Sequence, residues 1–283
     1  LLQIHEQITQ RWQTALANDA GGQIARDYLS KRGVSEEAVK LFRLGYAPDA
    51  WDDTVNWAKS KNFDLATVEK GGLIIRKEGT DRHYDRFRGR LMFPICDEQG
   101  RVIGFSGRVL SGDEKTAKYV NSPETPIFTK GRVMFGLDKS KRALLDAGFA
   151  IICEGQLDLI ACYMAGVKNV VAPQGTAFTS MHAQVLRRYV DEVVLCFDSD
   201  NAGQNAAVRA LDRGHRVGEE DPGAVGRDLL GIVAGGPQAG VVVDLEPGDV
   251  LPAEPGRDDD PCLPSRREFS VGSQTGNSTV AVF

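Results

Sequence analysis

The sequence predicts an α/β protein in two parts, a mixed α/β N-terminal lobe and a following domain built on a parallel sheet. The first observation is that short apolar runs alternate with helical spacings beyond residue 147. The second is a composition typical of globular chains, with 42% hydrophobic and 26% charged residues. The third is that no apolar run approaches the length of a membrane span. We therefore expect domains at 1–147 and 148–213 and a tail of different character at 214–283.

In the N-terminal lobe, one helix and one pair of strands have clear local signals. Ser35 is followed by two glutamates, which predicts a helix N-cap with acids in the first turn, and this helix has an apolar face that includes Leu41. Apolar runs at 90–95 and 102–105 predict two strands, and the polar residues 97–100 between them predict a hairpin turn. An antiparallel pair of strands is therefore expected after a helical start.

The second domain alternates strands and helices. Continuous apolar runs predict strands that are buried on both faces, and the order β-α-β-α-β-α implies a parallel sheet covered by helices. Thr179 predicts a helix N-cap, and Met181 belongs to the apolar spacing of the helix that follows. The predicted strands are 149–153, 169–172 and 192–197, and the predicted helices are 157–165, 179–189 and 201–211.

Four carboxylates follow the strands of this predicted sheet. Glu154 comes directly after the first strand, Asp198 and Asp200 come directly after the third, and Asp158 lies one turn into the helix after Glu154. Because ligands of open α/β sheets bind outside the carboxyl ends of the strands, we expect these groups to converge there, beside the loop 174–176. Carboxylate oxygens are typical Mg²⁺ ligands. Each acid alone would also suit a helix N-cap, but the set favours a metal site.

The net charge of −5 is an average over two unlike segments. Residues 214–283 contain 12 acids and 5 arginines and therefore carry −7, which leaves +2 for residues 1–213. The same segment holds 7 of the 12 prolines and 12 of the 31 glycines, a composition typical of low-complexity or disordered chains, although a strand at 240–244 is possible. It is a genuine extension, a frameshifted translation, or an artefact of expression or assembly, and we favour a frameshift or truncation.

The cysteines are scattered and form no CxxC pair. Three of the five lie in apolar runs, where a thiol is usually a small core residue. This usage predicts a reducing cytoplasm and argues against a disulfide framework or a zinc site. The N-terminus lacks the basic and apolar segments of a signal peptide, which also favours a cytoplasmic location. The cysteines are Cys96, Cys153, Cys162, Cys196 and Cys262.

Several motifs together resemble one family. Three segments of the second domain are similar to the successive motifs of a TOPRIM domain, namely EGQLD at 154–158, QGT at 174–176 and FDSDNAG at 197–203. Segments of the N-terminal lobe resemble, in order, the core of DnaG-type bacterial primases; they are 28–33, 44–48, 85–95, 102–109, 118–125 and 128–131, followed by Gly136. The ordered set, from about residue 15 to 211, resembles the DnaG-type primase family.

The resemblance implies a fold, an activity and a set of site residues. The fold is a mixed α/β lobe joined to a TOPRIM domain with a Rossmann-like parallel sheet. The activity is synthesis of short RNA primers on a single-stranded DNA template from ribonucleoside triphosphates, with Mg²⁺ or Mn²⁺. By motif position, Glu154 is the first catalytic acid, as metal ligand or general base, Asp198 and Asp200 bind metal, and Asp158 supports them. The positions that match the template-binding surface are Arg32, Arg88, Arg90, Arg108, Lys118, Tyr119 and Asn121.

Other interpretations stay open. Arg86, Arg88 and Arg90 alternate and would equally suit a solvent-exposed strand face, Tyr119 would suit packing, and His182 is interpreted as an ordinary surface or packing histidine. Two rival functions use the same residues: a TOPRIM nuclease or topoisomerase that cleaves strands, and an inactive truncated primase that only binds single-stranded DNA.

The sequence also departs from the family pattern. No segment has the paired Cys/His spacing of the family's N-terminal zinc module, and the C-terminal helicase-binding domain is not found either. An acidic Asp-Pro-Asp-like motif is expected after the Asp200 helix, but the chain reads AGGP at 234–237. We therefore expect a truncated TOPRIM domain, and we expect the replicative helicase to be a partner of full-length family members.

Overall fold

The described part of the chain forms two packed bodies. The structure is a computed structural model that describes residues 1–110, 116–175 and 178–197, together with the backbone of three further strands. Those strands are β11 (Gly231–Ala234), which joins the second body, and β12 (Arg267–Ser273) and β13 (Gly276–Val282), which pair antiparallel with each other. No helix in these segments is long and apolar enough to cross a membrane.

The N-terminal lobe is built on an antiparallel sheet of four strands in the order β1-β4-β5-β6, with a separate pair formed by β2 and β3. Its helices are α1 (Leu2–Asn18), α2 (Gln23–Lys31), α3 (Glu36–Leu41), α4 (Asp53–Ser60) and α5 (Leu65–Lys70). Its strands are β1 (Gly45–Ala47), β2 (Ile74–Arg76), β3 (His83–Asp85), β4 (Arg90–Cys96), β5 (Val102–Val109) and β6 (Tyr119–Asn121). The two predicted strands and their hairpin turn are confirmed in β4, β5 and the turn between them.

The predicted helix after Ser35 is confirmed, but its buried face differs from the prediction. The Ser35 hydroxyl accepts a hydrogen bond from the backbone N–H of Ala38 at 3.2 Å, as an N-cap does. Leu41 is 44% exposed, so its place on the apolar face is wrong. The helix ends there, and its core contacts are made instead by Ala38 and Phe42, whose ring stacks on Phe135 at 5.6 Å.

The second body is a mostly parallel sheet in the order β11-β10-β8-β9-β7. Its remaining strands are β7 (Met134–Phe135), β8 (Phe149–Cys153), β9 (Val170–Pro173) and β10 (Glu192–Phe197), and its helices are α6 (Leu137–Ala147), α7 (Gln156–Met164) and α8 (Ser180–Leu186). Strands β8 to β11 are parallel, and β7 pairs antiparallel with β9. The predicted parallel sheet is therefore confirmed.

Both faces of this sheet are covered, which is why its strands are continuously apolar. Along β8, Ala150 and Ile152 lie in a core with residues of α6 and α8. The alternate residues Ile151 and Cys153 lie in a second core, which α7 shares with Phe93 of the N-terminal sheet. The pleat alone produces this division, since successive side chains point to opposite faces.

Two features of the second body were not predicted from the sequence. The predicted domain boundary leaves β7 and α6 with the N-terminal lobe, but they pack on the parallel sheet, where the Ser140 hydroxyl donates to the carbonyl of Val170 at 2.8 Å. Strand β11 lies beyond the predicted end of the sheet, and its backbone pairs with β10. The predicted strand 240–244 and helix 201–211 lie outside the described residues, and the division at residues 147 and 213 stays a prediction.

Helix α8 begins where its cap signal places it. The Thr179 hydroxyl accepts from the backbone N–H of His182, and the His182 ring accepts from the backbone N–H of Thr179, a reciprocal capping box. The helix ends at Leu186, before the predicted end at residue 189, and Met181 is 40% exposed, so its predicted place on the apolar face is wrong. His182 is fully buried, which confirms it as a packing histidine.

A polar contact joins the two bodies beside their shared apolar core. Glu98, in the turn between β4 and β5, accepts hydrogen bonds from Nη2 of Arg188 and from the hydroxyl of Tyr189, both at 2.5 Å. Lys141 of α6 also donates to the carbonyl of Glu98. This turn therefore holds the N-terminal sheet against the end of α8.

Candidate active site and nucleic-acid interface

Two of the four predicted acids lie at the end of β8. Glu154 is exposed directly after the strand, and Asp158 is exposed in the first turn of α7, where the helix dipole favours a carboxylate. The Asp158 carboxylate lies close over Gly155, because a Cβ added there would be 3.2 Å from its Oδ2. The loop 154–158, which we call the acid loop, is therefore compact, and both acids face solvent.

The other two acids, Asp198 and Asp200, lie outside the described residues. The last described residue before them, Phe197, ends β10, and Cys196 of β10 is the register partner of Cys153 at the end of β8. Carboxylates after β8 and β10 thus start from adjacent positions at one sheet edge. Whether they meet stays a prediction.

The acids at the β8 edge suit a hard divalent cation. Within the described residues, no group of three or more His, Cys, Asp or Glu side chains could hold a metal ion. Glu154 and Asp158 are two of the four predicted donors, and both are carboxylates that face solvent. Magnesium is often held by one or two carboxylates together with waters and substrate phosphates, so these two fit that requirement.

A buried amide contact ties the acid loop to the next loop of the edge. Nε2 of Gln156 donates to Oε1 of Gln174 at 2.9 Å, and both side chains are buried. Gly175 follows with φ of +67°, and a side chain there would clash with Nδ2 of Asn121. Glycine at 175 therefore lets the N-terminal sheet approach this edge. Thr176 lies outside the described residues.

Four of the predicted template-binding residues share one face of the N-terminal lobe. Arg108 and Tyr119 are register partners on β5 and β6, and the Arg108 guanidinium lies 5.8 Å from the Tyr119 ring and 4.2 Å from the Tyr28 ring. Arg32, the residue that caps the C-terminal end of α2, lies 5.4 Å from the ring of Tyr28. Arginine over an aromatic face is a favourable cation–π arrangement. We call Tyr28, Arg32, Arg108, Tyr119 and Asn121 the β6 face.

The β6 face meets the acid loop. Burial raises the pKa of Tyr119, Arg108 opposes that shift, and the charge of Asp158 adds to it, so Tyr119 lies within electrostatic reach of Asp158. Asn121 lies against Gly175, and its Oδ1 is buried without a hydrogen-bond partner. Nε of Arg108 and the hydroxyl of Tyr28 are also buried without partners. The β6 face therefore contains three buried polar atoms that have no hydrogen-bond partner.

The remaining basic residues separate into different environments. Lys118 is exposed directly before β6. Arg90 is buried, and its Nη1 donates to the carbonyls of Gly107 (2.9 Å) and Ala117 (3.1 Å), so it supports the backbone. A solvent-exposed strand face for Arg86 and Arg90 is wrong, because Arg90 is 6% exposed and Arg86 is half-buried.

Arg88 belongs to a second surface. Its guanidinium lies 4.1 Å from the ring of Trp51 and 5.7 Å from the ring of Tyr84. Trp51 is 65% exposed, an unusual position for so large an apolar side chain. An exposed indole covered on one face by an arginine can stack a nucleobase. We call Trp51, Tyr84 and Arg88 the Trp51 patch.

Sequence reasoning did not single out Tyr28, Trp51 or the contact between Gln156 and Gln174. Tyr28 had a signal, because it lies four residues before Arg32, a spacing that puts two side chains on the same side of a helical turn. Trp51 and the glutamine pair had none, since their partners are distant in sequence.

Comparisons with known proteins match both bodies. A family model described as DNA primase catalytic core, N-terminal domain, matches residues 12–141, and a Toprim-like model matches residues 151–221. The chain is similar to the solved Escherichia coli primase catalytic core, with 36% identity and a TM-score of 0.72, over 84% of this chain and 73% of that one. The chain belongs to the DnaG-type bacterial primase family.

Curated DnaG-family relatives show the same similarity over a limited span. The DNA primase of Deinococcus radiodurans is 44% identical over 190 residues, which are 67% of this chain and 33% of that protein. The DNA primase of Escherichia coli K12 is 43% identical over 189 residues, 66% of this chain and 32% of that protein. The chain thus spans about a third of the length of these relatives.

Several solved DnaG structures contain nucleic acid. A DnaG primase catalytic domain bound to single-stranded DNA is 35% identical to this chain with a TM-score of 0.71, over 88% of this chain and 71% of that one. The RNA polymerase domain of Mycobacterium tuberculosis DnaG is 33% identical with a TM-score of 0.71, over 82% of this chain and 74% of that one. The predicted fold class is confirmed by these neighbours.

Proposed function

We propose that this chain contains the RNA-polymerising core of a primase, which makes short RNA primers on single-stranded DNA from ribonucleoside triphosphates during DNA replication. The observation that supports the proposal is the meeting of the β6 face with the acid loop. Asn121 lies against Gly175, and Tyr119 lies within electrostatic reach of Asp158. Basic and aromatic groups therefore adjoin carboxylates, as a phosphoryl transfer to a nucleic-acid chain requires.

In this proposal the β6 face holds the template. Arg32, Arg108 and Lys118 contact backbone phosphates, which gives binding that is independent of sequence and falls with salt. Tyr119 stacks or packs beside a base, and Asn121 offers its buried amide oxygen. Arg88 contacts the template as part of the Trp51 patch. Arg90 does not contact the template but positions the backbone beside Lys118, through its hydrogen bond to the carbonyl of Ala117. A similar DnaG catalytic domain has been solved with bound single-stranded DNA, which supports single-stranded DNA as the ligand of this core.

The acids carry the chemistry. Glu154, Asp158, Asp198 and Asp200 are the residues that would hold Mg²⁺ or Mn²⁺, which supplies charge neutralisation at the phosphates when bound. Glu154 is either one of these ligands or the base that accepts the proton of the attacking 3′-hydroxyl. That oxygen then bonds to the α-phosphorus of the incoming nucleotide, and pyrophosphate leaves.

The test is ribonucleotide incorporation on single-stranded DNA by the Glu154→Gln variant. We expect incorporation to fall by about 100-fold or more, the usual contribution of a positioned acid or base, while DNA binding is retained. Glu36→Gln is the matched control, because this side chain is 89% exposed on α3, and it should keep full activity. Unchanged synthesis by Glu154→Gln would refute the catalytic assignment.

Two further outcomes separate the rival functions. Nicking of plasmid DNA that depends on Glu154 would identify a strand-cleaving TOPRIM enzyme. DNA binding without incorporation in the unsubstituted chain would identify a non-catalytic remnant. In the primase assignment, the cytoplasm is the site of action and the replicative helicase is the partner of the whole protein.

A further inference from the structure

Three thiols lie together beneath the acid loop. Cys153 is the last residue of β8, Cys162 lies in α7, and Cys196 is near the end of β10. Cys153 and Cys162 belong to the apolar core on the inner face of the parallel sheet, and Cys196 packs against that core. Sequence reasoning interpreted them as separate core residues, but the fold brings them to one point.

The Cys153 sulfur is close enough to react with the sulfur of Cys162 and with that of Cys196. Sγ of Cys153 lies 3.9 Å from Sγ of Cys162, which is van der Waals contact. Cys153 and Cys196 are register partners on adjacent strands. Hydrogen bonds with Cys162 and Cys196, together with burial, raise the pKa of Cys153, so its thiol contacts both. None of the four described cysteines is in a disulfide.

The position of the cluster gives its oxidation a consequence. The segment between Cys153 and Cys162 contains Glu154 and Asp158, so a bond between these cysteines would close a loop around both acids. A disulfide shortens the present 3.9 Å between the two sulfur atoms to about 2.05 Å, so both side chains must move. Because both are buried in a close-packed core, we infer that this movement is passed on to the backbone, where a shift of β8 displaces Glu154 and a shift of α7 displaces Asp158.

The cluster also has a route to solvent. Cys153 and Cys162 are 1% and 6% exposed, whereas Cys196 is only half-buried. A small oxidant therefore reaches Cys196 first. Cys96 lies in the N-terminal sheet, where it is buried, and it is outside the cluster.

We propose that Cys153, Cys162 and Cys196 form an oxidation site at which a peroxide converts Cys153 and Cys162 into a reversible disulfide that displaces the acid loop. The peroxide transfers one oxygen to Sγ of Cys196, giving a sulfenic acid and water (alcohol from an organic peroxide). The Cys153 thiol attacks that sulfur and releases water, and Cys162 then displaces the Cys196 thiol from Cys153. In sum, two thiols lose two hydrogens, and hydrogen peroxide becomes two waters.

Peptide mapping after hydrogen peroxide treatment of the full chain tests the bond itself. The acids between Cys153 and Cys162 make this possible, because cleavage at Asp and Glu puts the two cysteines on separate peptides. We expect these peptides to stay joined until dithiothreitol is added, and Cys196→Ala to slow their joining. Oxidation without this joined pair, including a bond only between Cys153 and Cys196, would overturn the proposal.

The effect on the site is measured in parallel. The expected loss of polymerisation rests on the proposed function. Mn²⁺ binding, monitored by electron paramagnetic resonance, can also be measured in a protein that has no polymerase activity. We expect oxidation to weaken Mn²⁺ binding and to lower incorporation by about 100-fold, as a misplacement of about 1 Å can. Cys162→Ala should be resistant, and the matched Cys96→Ala should respond like the unsubstituted chain. A joined pair with unchanged Mn²⁺ binding would overturn the displacement, whereas absent incorporation before oxidation would overturn only the proposed function.

Discussion

The buried His182 is expected to make the second body less stable in acid. Its Nδ1 accepts a hydrogen bond from the backbone N–H of Thr179 at 3.2 Å, so Nε2 carries the proton and donates to the carbonyl of Lys130 at 3.1 Å. Burial lowers the pKa of His182 from 6.5 to about 4. The folded chain therefore keeps this ring neutral in a pH range where the unfolded chain protonates it.

The free energy of unfolding depends on pH because the pKa of His182 differs between the folded and the unfolded chain. Above pH 6.5 the ring is mostly neutral in both states and has little effect on stability. Below pH 6.5 the ring is protonated in the unfolded chain, whereas in the folded chain it stays neutral down to about pH 4. Stability is thus lost as pH falls through this window. Between about pH 7 and about pH 5, the loss from this ring is about 2 kcal/mol, since one pKa unit is worth about 1.4 kcal/mol.

The variant that isolates this effect is His182→Gln. Glutamine is a usual partner at this position of a capping box, so it can keep the hydrogen bond from Thr179 while removing the titration. Urea unfolding followed by far-UV circular dichroism at both pH values gives four free energies of unfolding. We expect the unsubstituted chain to lose about 2 kcal/mol more than the variant. Equal losses would refute the argument, because all other titrating groups cancel in the comparison.

Three other substitutions test the packing and the surface. Asp85→Ala should cost about 1–2 kcal/mol in urea unfolding, because its buried carboxylate accepts two backbone N–H groups at the start of α4; a negligible change would contradict this capping role. Gly136→Ala should cost more than about 1 kcal/mol, since φ is +81° and its Cβ would lie 2.8 Å from Leu159; unchanged stability would show that the turn relaxes. Trp51→Ala should weaken single-stranded DNA binding by about 1–3 kcal/mol in fluorescence anisotropy, and undiminished affinity would exclude the Trp51 patch from the interface.

Local signals were sufficient where a short stretch of chain carries the whole cause. Strands Phe149–Cys153 and Glu192–Phe197 have the bounds predicted for them, because a continuous apolar run between polar residues can be buried on both faces only in a covered sheet. The caps at Ser35 and Thr179 were predictable for the same reason, since each cap bonds to a backbone group three residues on. Strand β11 had no such signal, because its partner β10 lies more than thirty residues earlier in the chain.

The sequence by itself determined the α/β class, the order of strands and helices from β8 to β10, the family, and the acids that follow β8. Only the tertiary structure decided what lies around those acids. It placed Asn121 against Gly175, turned Arg90 inward as a backbone support, exposed Trp51 beside Arg88 and gathered three cysteines beneath Glu154. The physical reason is that these contacts join residues far apart in the chain, where no local periodicity records the distance between two side chains.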